Sequence, residues 1–155
     1  MIAEFGQYTL ALALAVAIVL GTLPMIGSFV RGSLGARLMA VDRPAAILLA
    51  ALAILAFGSL GALFVRNDFR VALVATHSNL HLPLQYRIAA TWGSHEGSML
   101  LWVLILSFWT GAVSFFSSSL PDVLRARILS TMGLVGAGFL LFLLFTSNPF
   151  ERLMP

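Results

Sequence analysis

Four long apolar stretches without a charged residue alternate with polar segments along this chain, at positions 5–30, 44–65, 97–121 and 128–150. A helix needs about 20 mostly apolar residues to cross a hydrocarbon core, and each stretch is long enough. In lipid the backbone must satisfy its own hydrogen bonds, which leaves helices or a closed barrel. The apolar–polar alternation of barrel strands is missing, so the pattern predicts helices near residues 8–30, 45–65, 98–118 and 128–145. The expected fold class is all-α: a polytopic integral membrane protein with four transmembrane helices and an outer-face segment between the second and third. The first stretch does not read as a cleavable signal peptide, because Glu4 precedes it, no basic residue does, and it is too long. Pro24 stands where it would kink that helix or help end it. Gly58 and Gly61 in the second stretch, and Gly133, Gly136 and Gly138 in the fourth, read as points of close helix packing.

Composition agrees with this pattern. Of 155 residues 60% are hydrophobic and 10% charged, with a mean hydropathy of +1.00. A soluble domain carries about 25% charged residues, so a water-exposed globule and a disordered tail are both excluded. The lack of cysteine excludes a disulfide-stapled scaffold, a thiolate metal site and thiol redox chemistry in this chain. All nine basic residues are arginine and the formal charge is +3. They are scattered singly and not in a stripe, which points away from nucleic acid and toward the positive-inside rule. Arg31, Arg37 and Arg43 lie in one short loop, and Arg125 and Arg127 in another. Both loops are therefore expected in the cytoplasm, with both termini and the 66–96 segment on the outer face. The chain divides accordingly into residues 1–66 with two spans, an outer segment at 67–96, and residues 97–155 with two spans and a short outer tail.

The outer segment holds all three histidines. Phe69, Val71 and Leu73 alternate like a strand, though a single helical turn fits nearly as well, and a helical pattern resumes at Tyr86. His77 and His81 are four apart, which on one helix would begin a metal site. Ser78, Asn79 and Pro83 interrupt such a helix and no acidic residue or cysteine is near, so two histidines at headgroup level is the favoured reading and no metal is assigned. His95 and Glu96 form an adjacent ionisable pair at the junction with the third span, where such groups seldom lack a partner or a role. Gly93 and Gly97 flank them and would let a helix or a flat cofactor approach. On a helix from Trp92 onward, His95, Met99, Trp102, Leu106 and Trp109 share a stripe, which reads as packing surface. No phosphate loop, nucleophile–base pair or carboxylate pair is present, and no catalytic residue is assigned.

Asp68-Phe69, His77-Ser78-Asn79, Leu82-Pro83, Tyr86-Arg87 and above all the run from Trp92 to Ser98 carry a resemblance. In them the chain resembles the N-terminal part of the CcmF/NrfE family of cytochrome c-type biogenesis proteins, in an order that extends over all 155 residues. The resemblance implies a bacterial inner-membrane haem lyase that joins haem to the Cys-x-x-Cys-His motif of apocytochrome c on the periplasmic face. Haem is then the implied cofactor. The implied partners are a haem chaperone, thiol-reducing maturation proteins, apocytochrome c and a downstream part of the lyase, within the lipid bilayer. Trp92, His95 and Glu96 are the residues expected near haem; His77, Asn79, Pro83, Arg87, Gly93, Gly97 and Ser98 complete the motif-bearing outer segment. The family's Trp-rich segment and axial histidines have no counterpart here, so the chain is expected to be inactive alone. The alternative is a non-catalytic membrane scaffold that binds assembly partners.

Overall fold

The computed structural model describes residues 1–153; the last two residues of the expected outer tail, Met154 and Pro155, lie outside the described residues. Among the described residues seven helices follow in order: α1 (Ile2–Gly27), α2 (Ser33–Met39), α3 (Asp42–Arg66), α4 (Ala72–His77), α5 (Leu84–Ala90), α6 (His95–Phe116) and α7 (Asp122–Phe145). α1, α3, α6 and α7 are long and apolar enough to cross a membrane. Among the described residues extended pairing is limited to one isolated bridge, between Val71 and Arg152. The protein is an all-α membrane bundle.

Each long helix extends beyond or departs from its expected span for a local reason. Asp42 and Asp122 sit in the first turns of α3 and α7, where a carboxylate meets the positive end of the helix dipole. Arg125 and Arg127 therefore belong to α7 and not to a loop. Pro24 lies inside α1, which runs on to Gly27. The segment between the first two spans is not a plain loop either, since it contains α2, entered at Gly32 with a φ of 87°.

α1 packs between α3 and α7, and α6 closes the ring by packing on α3 and α7. α1 and α7 approach each other closely at Gly21 and Gly133. A Cβ at Gly133 would lie 2.9 Å from the Gly21 nitrogen, and one at Gly21 would lie 2.8 Å from the Leu134 side chain. This matches the packing expected of Gly133 and adds Gly21. Gly58 and Gly138 have only open space where a Cβ would stand, so they are not close-packing points within this chain.

Polar contacts gather at the two ends of the bundle. At one end the buried Asp42 carboxylate accepts from Arg125 Nε at 2.8 Å, and Arg125 Nη1 reaches Asp122 at 2.8 Å. Beside them Arg127 Nε donates to Ser28 Oγ at 3.1 Å and its guanidinium lies 4.8 Å above the Phe29 ring. At the other end Glu4 pairs with Arg152 at 2.5 Å, the Ala72 N–H donates to the Glu151 carbonyl at 2.9 Å, and the Leu153 N–H to the Arg70 carbonyl at 3.0 Å. The start of α1, the segment after α3 and the tail after α7 thus share one end, and the two arginine-bearing connections share the other.

Candidate functional site: the rim at the start of α6

The motif run folds as a helix start. Ser94 is the N-cap of α6, with extended backbone, and its hydroxyl accepts the Gly97 N–H at 3.0 Å. Such a cap satisfies one of the donors that a helix leaves orphaned at its N-terminus. The Ser98 hydroxyl donates to the His95 carbonyl at 3.0 Å. Gly97 is needed because a Cβ there would overlap the Thr91 carbonyl. At Gly93 a Cβ would meet only ordinary contact distances, the nearest atom 3.5 Å away. The expected common face of Gly93 and Gly97 is therefore corrected: what approaches Gly97 is the chain's own turn, not a second helix or a cofactor.

Before this helix start, the outer segment is organised by Arg87. Its Nε donates to the Leu82 carbonyl at 2.8 Å, Nη2 to the Leu80 carbonyl at 3.1 Å, and Nη1 to the Val65 carbonyl at 3.5 Å. One planar guanidinium thus fastens the 80–82 turn to the end of α3. Asn79 Oδ1 accepts the His81 N–H at 3.0 Å, closing the turn from within. Pro83 is the N-cap of α5. Asn67, left-handed at φ 51°, ends α3 and its Oδ1 accepts from Ser78 Oγ at 2.9 Å. α4 ends at His77, so His77 and His81 do not share a helix face. His77 Nδ1 lies 3.1 Å from the Leu73 carbonyl and 2.8 Å from Thr76 Oγ1, while the His81 residue is exposed.

His95 and Glu96, adjacent in sequence, face different partners. The His95 ring stacks on Phe142 of α7, with centroids 6.0 Å apart and planes 22° from parallel. It stands over an apolar groove of about 450 Å³ between α6 and α7, lined also by Met99, Val135, Gly138 and Phe139. The open space at Gly138 lies in this groove, where a side chain would begin to fill it. Glu96 instead lines a polar pocket of about 200 Å³ with His77 and Thr76 of α4, and Asn148 and Glu151 of the tail. Trp92 is exposed and lines neither cavity. Glu96 and His77 thus line one cavity, and His95 lines another. The stripe running down from His95 is also turned outward: Trp102 is 62% and Trp109 59% exposed. The helix packs inward instead through Gly97, Leu100, Val103, Ser107, Thr110 and Ser114.

Among the described residues, no cluster of three histidine or acidic side chains is placed to hold a metal ion. The groove does not fit haem held by two axial ligands from this chain. Axial ligation needs donors on opposite sides of the iron, whereas His95 and Met99 lie one helical turn apart on the same wall. Phe139, Phe142, Asn148 and Glu151 carried no sequence signal as site residues, since they reach the rim only through the packing of α7 and its tail.

No protein-family model matches the chain. It is 52% identical over 155 residues to the cytochrome c-type biogenesis protein CcmF of Pseudomonas aeruginosa, covering all of this chain and 23% of that protein. It is also 52% identical to the CcmF of Escherichia coli strain K12, covering 24% of it. With the cytochrome c-type biogenesis protein NrfE of Haemophilus influenzae it shares 39% identity over 155 residues. Among solved structures, a cytochrome c haem lyase CcmF superposes with a TM-score of 0.89 at 25% identity, covering 99% of this chain and 25% of that one. The chain thus spans about a quarter of the length of the relatives it matches.

Proposed function

We propose that this chain, which matches CcmF proteins along its whole length and about a quarter of theirs, is the N-terminal four-helix part of a cytochrome c haem lyase. In this reading it anchors the enzyme in the bacterial inner membrane and builds the periplasmic rim beside which haem is joined to apocytochrome c. The observation that carries it is the whole-chain match of sequence and fold to proteins named for cytochrome c biogenesis. Orientation follows from the arginines. The end holding Arg37 and Arg125 faces the cytoplasm, and the end holding Arg87, His95 and both termini faces the periplasm.

The rim's chemistry supports a contact surface. If haem comes near this part, the His95 groove offers an apolar wall and one imidazole. Haem would supply the iron and the vinyl groups that form the thioether bonds, and the residues holding the iron would come from another part of the lyase. Glu96 would belong to the separate pocket that His77 also lines. The haem chaperone, thiol-reducing proteins and apocytochrome c are then partners of the assembled lyase. The scaffold reading is favoured by one observation, the placement of His95 and Met99 on a single wall of the groove, and predicts partner binding without haem contact.

Expression in a strain lacking the full lyase tests both. The 155-residue chain alone should yield no covalent cytochrome c, and should restore it when the remaining three quarters of a CcmF relative is supplied as a second polypeptide. Covalent cytochrome c formed by this chain alone would overturn the proposal. Normal maturation with His95→Ala in the reconstituted pair would favour the scaffold.

A further inference from the structure

The bundle holds α5 on one flank. Arg87 Nη1 reaches the Val65 carbonyl near the end of α3, and a Cβ on Gly61 would lie 4.0 Å from the Thr91 hydroxyl. Arg87 and Thr91 are one turn apart and so share the flank that meets α3. Thr91 is buried, and its carbonyl sits against Gly97 in the first turn of α6. Leu84 and Ile88, also one turn apart, lie on an adjoining flank and are exposed. The coil continues past Ala90 as a tight turn, in which the Thr91, Trp92 and Gly93 N–H groups donate to the Ile88, Ala89 and Ala90 carbonyls at 3.1, 3.3 and 3.2 Å. Trp92, one turn beyond Ile88, is exposed as well. No residue of α5 itself is buried. A helix of seven residues does not persist in water by itself, so the open apolar flank calls for a cover.

Depth decides what that cover is. Val65 is the last residue of the charge-free stretch that α3 carries through the membrane. Gly61 lies one turn further in, about 6 Å deeper by helical rise. The turn after α5 therefore packs on α3 below the end of its apolar stretch. Tyr86 and Trp92, both exposed, are residue types that gather where bilayer meets water. The one charge of α5 is turned away, because Arg87 spends its guanidinium on the carbonyls of Leu82, Leu80 and Val65. We propose that α5 is an interfacial helix whose partner is the lipid surface. It lies at the boundary of headgroups and acyl chains on its side of the bundle, with Leu84, Ile88 and Trp92 against the chains. Burial of an apolar flank holds a helix at that depth. Docked there, α5 sets the height at which the Ser94 cap and His95 meet the membrane edge.

Single spin labels on the full chain, in nanodiscs of phosphatidylethanolamine and phosphatidylglycerol, test this directly, since there is no native cysteine to label. Leu84→Cys and Ile88→Cys are the test sites. His81→Cys, exposed in the 80–82 turn, marks water, and Ile54→Cys, exposed halfway along α3, marks lipid. Labels at 84 and 88 should meet dissolved oxygen and lose access to a water-soluble nickel chelate, as at 54 and opposite to 81. Nickel access equal to that at 81 would overturn the proposal. Low access to both reagents would overturn it as well, since that marks a protein cover such as a second copy of the chain. Hydroxyl-radical footprinting of the unaltered chain in the same nanodiscs needs no folded variant. Trp92 should be oxidised less than His81, although indole is the more reactive ring, and oxidation of Trp92 at or above the level of His81 would overturn the proposal.

Discussion

Arg87 joins three carbonyls that belong to two separate stretches of backbone. Hydrogen bonds from a charged donor contribute about 1.5–3 kcal/mol where they are well formed. Arg87→Ala should therefore loosen the 80–82 turn by about 2 kcal/mol, read as a rise in cleavage of that turn under limited proteolysis. Arg87→Lys should rescue it poorly, since a point charge cannot span the same three acceptors. Gly97 offers a sharper contrast with its neighbour in the motif. A methyl at Gly97 would enter the Thr91 carbonyl, and Gly97→Ala should lower thermal stability by about 1–3 kcal/mol. Gly93→Ala should stay within about 0.5 kcal/mol, the range of unobstructed surface changes. His95 and Glu96 line different cavities. Their alanine substitutions should therefore combine additively in stability, within about 0.5 kcal/mol. A larger interaction energy in that double-mutant cycle would mean the two side chains act as the pair their adjacency suggests.

At the scale of helices, the spans were legible because lipid tolerates so little charge that its limits show as runs without any. Their ends were not, because helix first turns accept the carboxylates of Asp42 and Asp122, and α7 carries Arg125 inward against Asp42. The rim was legible as a region but not as an arrangement. Adjacent helical residues point about 100° apart, so His95 and Glu96 diverge as soon as a helix begins at position 95. Their neighbours then come from α7 and its tail, far along the chain and beyond the reach of local pattern. The outward turn of Trp102 and Trp109 has a similar cause: periodicity identifies a stripe, whereas only the neighbours of α6 decide which stripe is covered. The Asp42–Arg125 pair is a buried ion pair that ties α3 to α7. Removing one partner of a buried ion pair leaves the other uncompensated, typically at about 3–5 kcal/mol. Asp42→Asn or Arg125→Gln should each reduce accumulation of the protein in the membrane, measured by immunoblot, and a joint apolar replacement of both should restore much of it.

For the molecule as a whole, the shared end of the termini and outer segment makes topology a single question. One orientation settles every connection at once. Because the chain has no cysteine, single cysteines can be introduced without background. An impermeant maleimide added from the periplasmic side should label a cysteine replacing the exposed His81 and leave one replacing Arg37 unlabelled. The reverse pattern would invert the whole molecule, rim included. The bridge between Val71 and Arg152 adds a constraint in time. Its two halves leave the ribosome far apart, and the second follows α7. Until that span is in place, the Ala72 N–H and the Arg70 carbonyl wait for Glu151 and Leu153. The outer segment therefore reaches its final shape only after the fourth helix has been made.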